Sequence, residues 1–460
     1  MRKLLVIFLA AVVLGGGGVY VGAGMQAPPT ITINKPGKFA GSAVPLDVKV
    51  EGKAGSPVET HIFFEQNGVR TEVSGTPPAI SAQTVPNLKV VAGPAKIIVT
   101  ASQKAWKLRT VETEAVAETT IRLEKPRVSV VSTKHYINLG GAEMIVYRAT
   151  PSDVESGVRV GDIEYKGFPT TGDLHVAFFA LRYDQQLNEK MQVFARDISG
   201  EQATTEFDHL TFAKKPFKKS TIPLDDKFLD RVVPAILAGT KEIDPQGSTI
   251  EKFVAINSVL RGKNNDTIRS MAEKTAPTML WTEPFYPFTN TKAEASFADF
   301  RTYVYNGKEV DKQVHLGFDL ASFANTAVLA SNKGKVVFAK ELGIYGNCII
   351  IDHGMGVQSL YGHLSSFGVK EGDAVEKGQE IGKSGITGLA GGDHLHFTML
   401  VNGVMVNPIE WWDPHWIEDR ITRKLHEDPN AAPAAAPKAE APAKKAPAKA
   451  KAPAKKKGKG

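Results

Sequence analysis

The chain has 460 residues, 42% of them hydrophobic, and a formal net charge of +7. Residues 430–460 hold nine Lys against one Glu, a net of +8, so everything before them sums to −1 and the basic charge belongs to that tail alone. One cysteine, Cys348, excludes an intramolecular disulfide, and the length is that of about three domains.

Met1-Arg2-Lys3 is basic, and residues 4–24 are uncharged and largely apolar. That is roughly the length a helix needs to cross a bilayer, and positive charge ahead of it sends the rest of the chain outward. Residues 1–25 are therefore expected to be a membrane anchor or a signal segment. The Gly15–Gly18 run weakens a helix. Val21-Gly-Ala-Gly24 permits cleavage, but there is no clear small-x-small site with a polar flank, so an uncleaved anchor is the preferred reading.

Residues 28–124 read as β. Val44, Leu46, Val48 and Val50 alternate, as does the stretch Ile97, Val99, Ala101, with Gly, Pro and Asn turns between such runs. Residues 126–215 repeat the pattern, with strands expected near Met144–Tyr147, His175–Leu181 and Met191–Ala195. Two small β-sandwiches of immunoglobulin-like type suit these lengths, with spacing or docking as their task. Residues 224–275 change character. Leu224 to Leu237 is helical in pattern with a kink expected at Pro234, and Ser248-Thr-Ile-Glu251 is a capping box. Phe253, Ile256 and Leu260 then share one helical face. This segment reads as a linker that packs the sandwiches onto the carboxy-terminal domain, or as a cover over a groove.

Chemistry concentrates in residues 277–420. His315-Leu-Gly-Phe-Asp319, Tyr361-Gly-His363-Leu364 and His394-Leu-His396 offer imidazoles and a carboxylate. Residues two apart in a strand share a face, so His394 and His396 project together while Leu395 and Phe397 enter a core. Gly317 argues against a helix for His315 and Asp319; a strand bending there brings both to one point. A lone His-x-His is more often a metal-free pair, and a lone His-x-x-x-Asp says little. Their conjunction supplies three N/O ligands with two spare histidines, the set a catalytic zinc site uses when its fourth position stays open.

The whole stretch from about Ser296 to Trp416 resembles the catalytic domain of lysostaphin/LytM-type zinc metallopeptidases. The resemblance runs in order through Phe297-Ala-Asp-Phe-Arg301, His315-x-x-x-Asp319, Gly334-Lys-Val336, Tyr345-Gly-Asn347, Ile349-Ile-Ile-Asp-His-Gly354, Tyr361-Gly-His-Leu364, Val369-x-x-Gly372, Lys377-Gly-Gln-x-Ile-Gly382, Gly385-x-Thr-Gly388 and His394-Leu-His-Phe397. It implies an antiparallel β peptidase domain, making the chain mainly β and multidomain. It implies one Zn2+ per chain on His315, Asp319 and His396, with His363 and His394 as the catalytic pair, and hydrolysis of peptide cross-links in peptidoglycan by an activated water. Ala298 stands where the family often has Gly, and Thr398 where it often has an acidic or small residue. Relatives that lost the zinc ligands activate cell-wall amidases, so a non-catalytic regulator is the alternative; a protein substrate such as a Gly-rich chain is a further one.

His353 reads as a turn or supporting hydrogen bond. His61, His135, His175, His209, His415 and His426 read as structural or solvated, Cys348 as a small buried residue, and Trp411, Trp412 and Trp416 as a cover for one end of the barrel. The anchored layout and the lack of a wall-anchoring motif suggest an inner-membrane protein with periplasmic domains, or a periplasmic one after signal cleavage. The partners expected are peptidoglycan stem peptides, the inner membrane through residues 1–25, and an anionic envelope polymer or lipid at the Ala/Pro/Lys tail over 430–460, which composition predicts to be disordered. No nucleic acid is expected.

Overall fold

The computed structural model describes residues 26–426, save 43, 74–79, 85–87, 107–108, 198–199, 214–215 and 289. The expectations for residues 1–25 and for the basic tail lie outside the described residues. The architecture is mainly β and multidomain, as the alternating sequence predicts.

In the amino-terminal block, Pro45–Glu51 pairs with Thr30–Lys35 and Ile80–Thr84 in a three-stranded sheet. A five-stranded sheet is built around Gly93–Ala105, which lies between Arg109–Ile121 and Val58–Gln66. Leu46, Val48, Ile62, Phe64, Ile97 and Val99 share one buried cluster, so the alternating residues meet as a period of two requires. In the next block, hydrogen bonding is continuous across seven strands, from Gln202–Glu206 at one edge to Arg127–Val130 at the other. His135–Asn138 and His209–Phe212 form a separate parallel pair.

The carboxy-terminal sheet has eight strands. Its path runs Lys292–Ala295, Phe318–Ala321, Leu395–Val401, Val357–Leu364, Asn347–Gly354, Gly334–Glu341 and Ala374–Val375, with Val404–Val406 also on Leu395–Val401. Cys348-Ile-Ile-Ile351 is an unbroken apolar run because both faces of this sheet are covered. Ile349, Ile351, Tyr361, Phe397 and Met399 join a cluster with Tyr147 and Phe178 of the seven-stranded block. Cys348, Ile350, Leu360 and Leu400 point the other way, against Leu229, Val233, Phe253 and Leu260 of the helical segment.

That segment begins later than its pattern predicts. Leu224 ends the strand Lys219–Leu224, paired in parallel with Asp299–Tyr305. The helix Asp226–Gly239 is capped by Asp225 and contains Pro234. Ser248 and Glu251 form the expected reciprocal cap of Thr249–Ala255. The helical path then widens over Ile256–Leu260 and continues as Arg261–Ser270. Phe253, Ile256 and Leu260 are all fully buried, as their spacing requires.

The expectation of an inner-membrane anchor with periplasmic domains is corrected here. Among the described residues no helix is long and apolar enough to cross a membrane. Asp226–Gly239 has 14 residues, about 21 Å of helix against a hydrocarbon core of about 30 Å. The longer run over 249–274 carries Lys252, Arg261, Lys263, Asp266 and Arg269.

Candidate active site

Three neighbouring strands and one sharp bend assemble the site. Asp299–Tyr305 and Lys308–His315 form an antiparallel hairpin that ends at His315. The chain then turns through Leu316 and Gly317 before Phe318–Ala321 begins. In that strand Asp319 stands directly opposite His396 of Leu395–Val401. Directly opposed residues of an antiparallel pair put their side chains on one face. Leu395 and Phe397 face the other way into the core, as the His-x-His alternation predicts.

Three heteroatoms converge. His315 Nε2 lies 2.9 Å from Asp319 Oδ1 and 3.0 Å from His396 Nδ1, and His396 Nδ1 lies 3.1 Å from Asp319 Oδ1. His315 Nδ1 donates to the Ser296 carbonyl at 3.2 Å, leaving Nε2 with its lone pair turned inward. Arg301 holds the other carboxylate oxygen, Oδ2, at 3.0 Å. A tetrahedral zinc with bonds of about 2.0–2.2 Å spaces its ligand atoms roughly 3.3–3.6 Å apart. The triangle is a few tenths of an ångström tighter than that, and its donor types suit a divalent cation such as zinc. These three residues are the metal-capable group among the described residues.

Gly317 makes this approach possible. A Cβ there would stand 2.5 Å from Cε1 and 2.7 Å from Nε2 of His396. The imidazole therefore lies against bare backbone, and its Nε2 is buried with no hydrogen-bond partner.

The other two histidines sit beside the triangle. Their ring centroids are 4.8 Å apart, and His363 is 5.8 Å from His396. His363 adopts φ 61, uncommon for a residue with a side chain. Its Nδ1 donates to the Thr387 carbonyl at 2.8 Å, so the neutral ring presents a free lone pair on Nε2. His394 Nδ1 donates to the Gly392 carbonyl at 2.8 Å, and its Nε2 faces Asp319 Oδ1 at 3.4 Å.

These surroundings push the two rings apart in basicity. Burial, reinforced by His394 and His396, holds His363 well below the ordinary imidazole value. For His394 burial works against the charge, but the hydrogen bond to Asp319 and that carboxylate's field outweigh it and raise the ring. Burial brings His396 down to about 4. Burial also opposes ionisation of Asp319, yet His315 and the hydrogen bonds from three imidazoles keep its carboxyl well below the usual range.

The five residues line a cavity of about 110 Å³. Arg261 and Asn265, from the helix Arg261–Ser270, line it as well. Asn265 accepts from the Tyr345 hydroxyl at 3.0 Å, and Asn264 accepts from the Ile344 N–H at 3.0 Å. Arg231 donates to the Ala390 carbonyl at 2.7 Å. The helical segment is thus fastened to loops on two sides of the site.

The remaining predicted residues lie elsewhere. His353 is fully buried between the Lys333 carbonyl and the Ser359 hydroxyl, at 2.7 Å from each. His135 bonds Ser132 and the Asp208 carbonyl in the seven-stranded block. Cys348 is fully buried, and burial raises its thiol. Trp411 is fully buried, and Trp412 stacks on Phe397 at 5.6 Å, behind the ligand strand. Ala298, where glycine is common in the resembling family, has φ 60 and is fully buried. The backbone there favours glycine, and the family's preference has a local cause.

Ser296, Thr387 and Gly392 act on the site through backbone carbonyls, so their side chains give no sequence signal for these roles. For Arg301 the available cue is an Arg two residues from Asp299 on one strand face. Nothing in the sequence marked Arg261.

Comparison with known proteins bears on the same residues. Residues 313–408 match Peptidase family M23. Over 97 residues the chain is 43% identical to the DD-carboxypeptidase/endopeptidase Mpg of Neisseria meningitidis serogroup B, covering 21% of this chain and 22% of that protein. Over 96 residues it is 41% identical to the peptidoglycan DD-endopeptidase ShyA of Vibrio cholerae, again covering 21% and 22%. The chain thus spans about a fifth of the length of the curated relatives it matches. The solved catalytic domain of the antimicrobial peptidase lysostaphin from Staphylococcus simulans aligns at TM-score 0.21 and 28% identity, over 31% of this chain and 96% of that one.

Proposed function

Because the carboxy-terminal part of this chain is a peptidase family M23 domain, we propose that the protein is a zinc-dependent endopeptidase that hydrolyses D,D-peptide cross-links of peptidoglycan. The observation that carries this reading is the triangle of His315 Nε2, Asp319 Oδ1 and His396 Nδ1, at 2.9–3.1 Å, with two further histidines beside it. Both the Neisseria and the Vibrio relative carry D,D-peptidase activity in their names.

Zinc held by those three residues would supply Lewis acidity toward a water and the scissile carbonyl. The chain's own residues divide the remaining work. His363, neutral and with Nε2 free, takes a proton from the attacking water as its oxygen bonds to the carbonyl carbon. His394 is the ring more readily protonated, and in that form it donates through Nε2 to the oxygen that gains charge. The C–N bond then breaks, and the proton collected by His363 passes to the departing amine. Arg301 and the Ser296 carbonyl keep Asp319 and His315 aimed inward and touch no reacting atom.

The test is metal content together with release of soluble muropeptides from purified peptidoglycan, with and without a chelator. About one zinc per chain and chelator-sensitive release are expected, the stoichiometry being that of a three-ligand catalytic site. His396→Ala should lose zinc and release together, whereas His363→Ala should keep zinc and lose release. Zinc retained by His396→Ala but lost by His363→Ala would reverse the ligand assignment.

A further inference from the structure

Among the described residues, the cavity has one strong cation with no carboxylate in ion-pair reach. Apart from the histidines, its charged lining residues are Arg261, Arg301 and Asp319. Asp319 is fully engaged, with Oδ1 against imidazoles and Oδ2 on Arg301. Arg301 also reaches Asp299 at 3.4 Å. Arg261 is different. Its Nε donates to the Asn257 carbonyl at 2.9 Å and its Nη2 to Asn257 Oδ1 at 2.6 Å. Among the described residues no carboxylate stands within ion-pair distance of it.

The guanidinium is nevertheless held in place. Asn257 is fully buried and donates to Asp311 Oδ2 at 2.7 Å. Two of the five guanidinium N–H groups are used to lock the side chain, and the other three make no hydrogen bond among the described residues. A preset, half-buried guanidinium with spare parallel donors is a carboxylate receptor, because its fork matches the two oxygens and little rotamer freedom remains to be lost.

We propose that Arg261 binds the free carboxylate on the carbon that carries the leaving amine, making the site selective for peptide bonds whose amine-side residue ends in an α-carboxylate. This rests on the peptidase reading of the same site. A D,D-bond to a terminal D-residue, or to the D-centre of a diamino acid, presents that carboxylate one carbon from the scissile nitrogen. The cavity of about 110 Å³ suits such a small charged end; pockets for drug-sized ligands run to roughly 300 Å³ or more. The carboxylate takes no part in bond-making: water adds to the carbonyl carbon, the C–N bond breaks, and the amine leaves with its carboxylate intact.

Two synthetic peptides differing only in a carboxylate or a carboxamide at that position test the idea. Their binding to the full chain is measured by calorimetry with the metal chelated, so that turnover and metal contact are both absent. The carboxylate peptide should bind at least tenfold more tightly. Arg261→Gln should bring the ratio close to one, and Arg261→Lys should keep part of it. A ratio below twofold in the wild type, an unchanged ratio in Arg261→Gln, or no binding of either peptide overturns the proposal. Should the Gln variant not fold, the wild-type ratio and the Lys variant decide. Turnover with zinc restored is read separately. Selective binding without cleavage supports the carboxylate site and removes the peptidase reading.

Discussion

Gly317→Ala isolates the geometry of the metal triangle without touching a ligand. The added Cβ would meet His396 Cε1 at 2.5 Å and the Phe397 carbonyl oxygen at 2.8 Å, where ordinary contacts begin near 3.4 Å. The imidazole must therefore retreat by the difference, 3.4 less 2.5 or about 0.9 Å, and the Cβ is crowded by the backbone oxygen as well. Metal–ligand distances tolerate deviations of about 0.2 Å. One of three protein ligands is thus lost or badly misplaced, at a cost of roughly 10- to 100-fold or more in zinc affinity. The same crowding should lower stability by about 1–3 kcal/mol. Competition with a chromophoric chelator measures the affinity, and thermal melting in chelator measures the stability. Gly262→Ala is the control: nothing lies within 4 Å of its Cβ, and removing a glycine from the interior of a helix should stabilise by about 0.5–1 kcal/mol. Zinc affinity within twofold of wild type in Gly317→Ala would refute the claim that bare backbone at 317 sets the position of His396.

Three further outcomes are expected from other contacts. Burial lowers His353 to about 4 and His135 to about 3, against an ordinary value of 6.5. Both folded values are depressed, so their stabilising contribution is present above pH 6.5 and is lost as pH falls toward 4 and then 3. At about 1.4 kcal/mol per unit the loss is at most about 3.5 kcal/mol for His353, and acid melting of His353→Gln should be flatter than wild type. Lys424 and Glu143 form a buried ion pair at 2.9 Å that fixes the last helical segment to the strand Ala142–Thr150. Lys424→Ala should cost about 3–5 kcal/mol in a denaturant titration, because the buried carboxylate keeps only the more distant Arg420, at 4.0 Å, as counter-charge; a change below 1 kcal/mol would mean the pair contributes little. A fragment starting at Pro277 exposes Ile350, Leu360 and Leu400, which the helical segment covers. It should aggregate or bind a hydrophobic dye; a monodisperse fragment with wild-type melting would show the helices to be dispensable.

Which side chains could meet at a metal was legible in local patterns of the chain. Strand periodicity placed His394 and His396 on one face and sent Leu395 and Phe397 into the core, because in a strand side-chain direction depends only on residue parity. Gly317 announced a bend, and the conjunction of three histidine motifs announced a metal-capable set. The capping box at Ser248 and the helical face of Phe253, Ile256 and Leu260 were legible because both are local rules. Tertiary structure decided everything that joins residues distant in sequence. It set Asp319 opposite His396, 77 residues away, and gave His363 and His394 unequal basicity through burial and one shared carboxylate. The double coverage of the strand Asn347–Gly354 explains a run that sequence could only report as apolar. Arg261 entered the site from a helix outside the matched domain, since only packing puts it there. Pairing and packing arise from surfaces that meet once the chain has closed on itself, and no local pattern encodes which surface that will be.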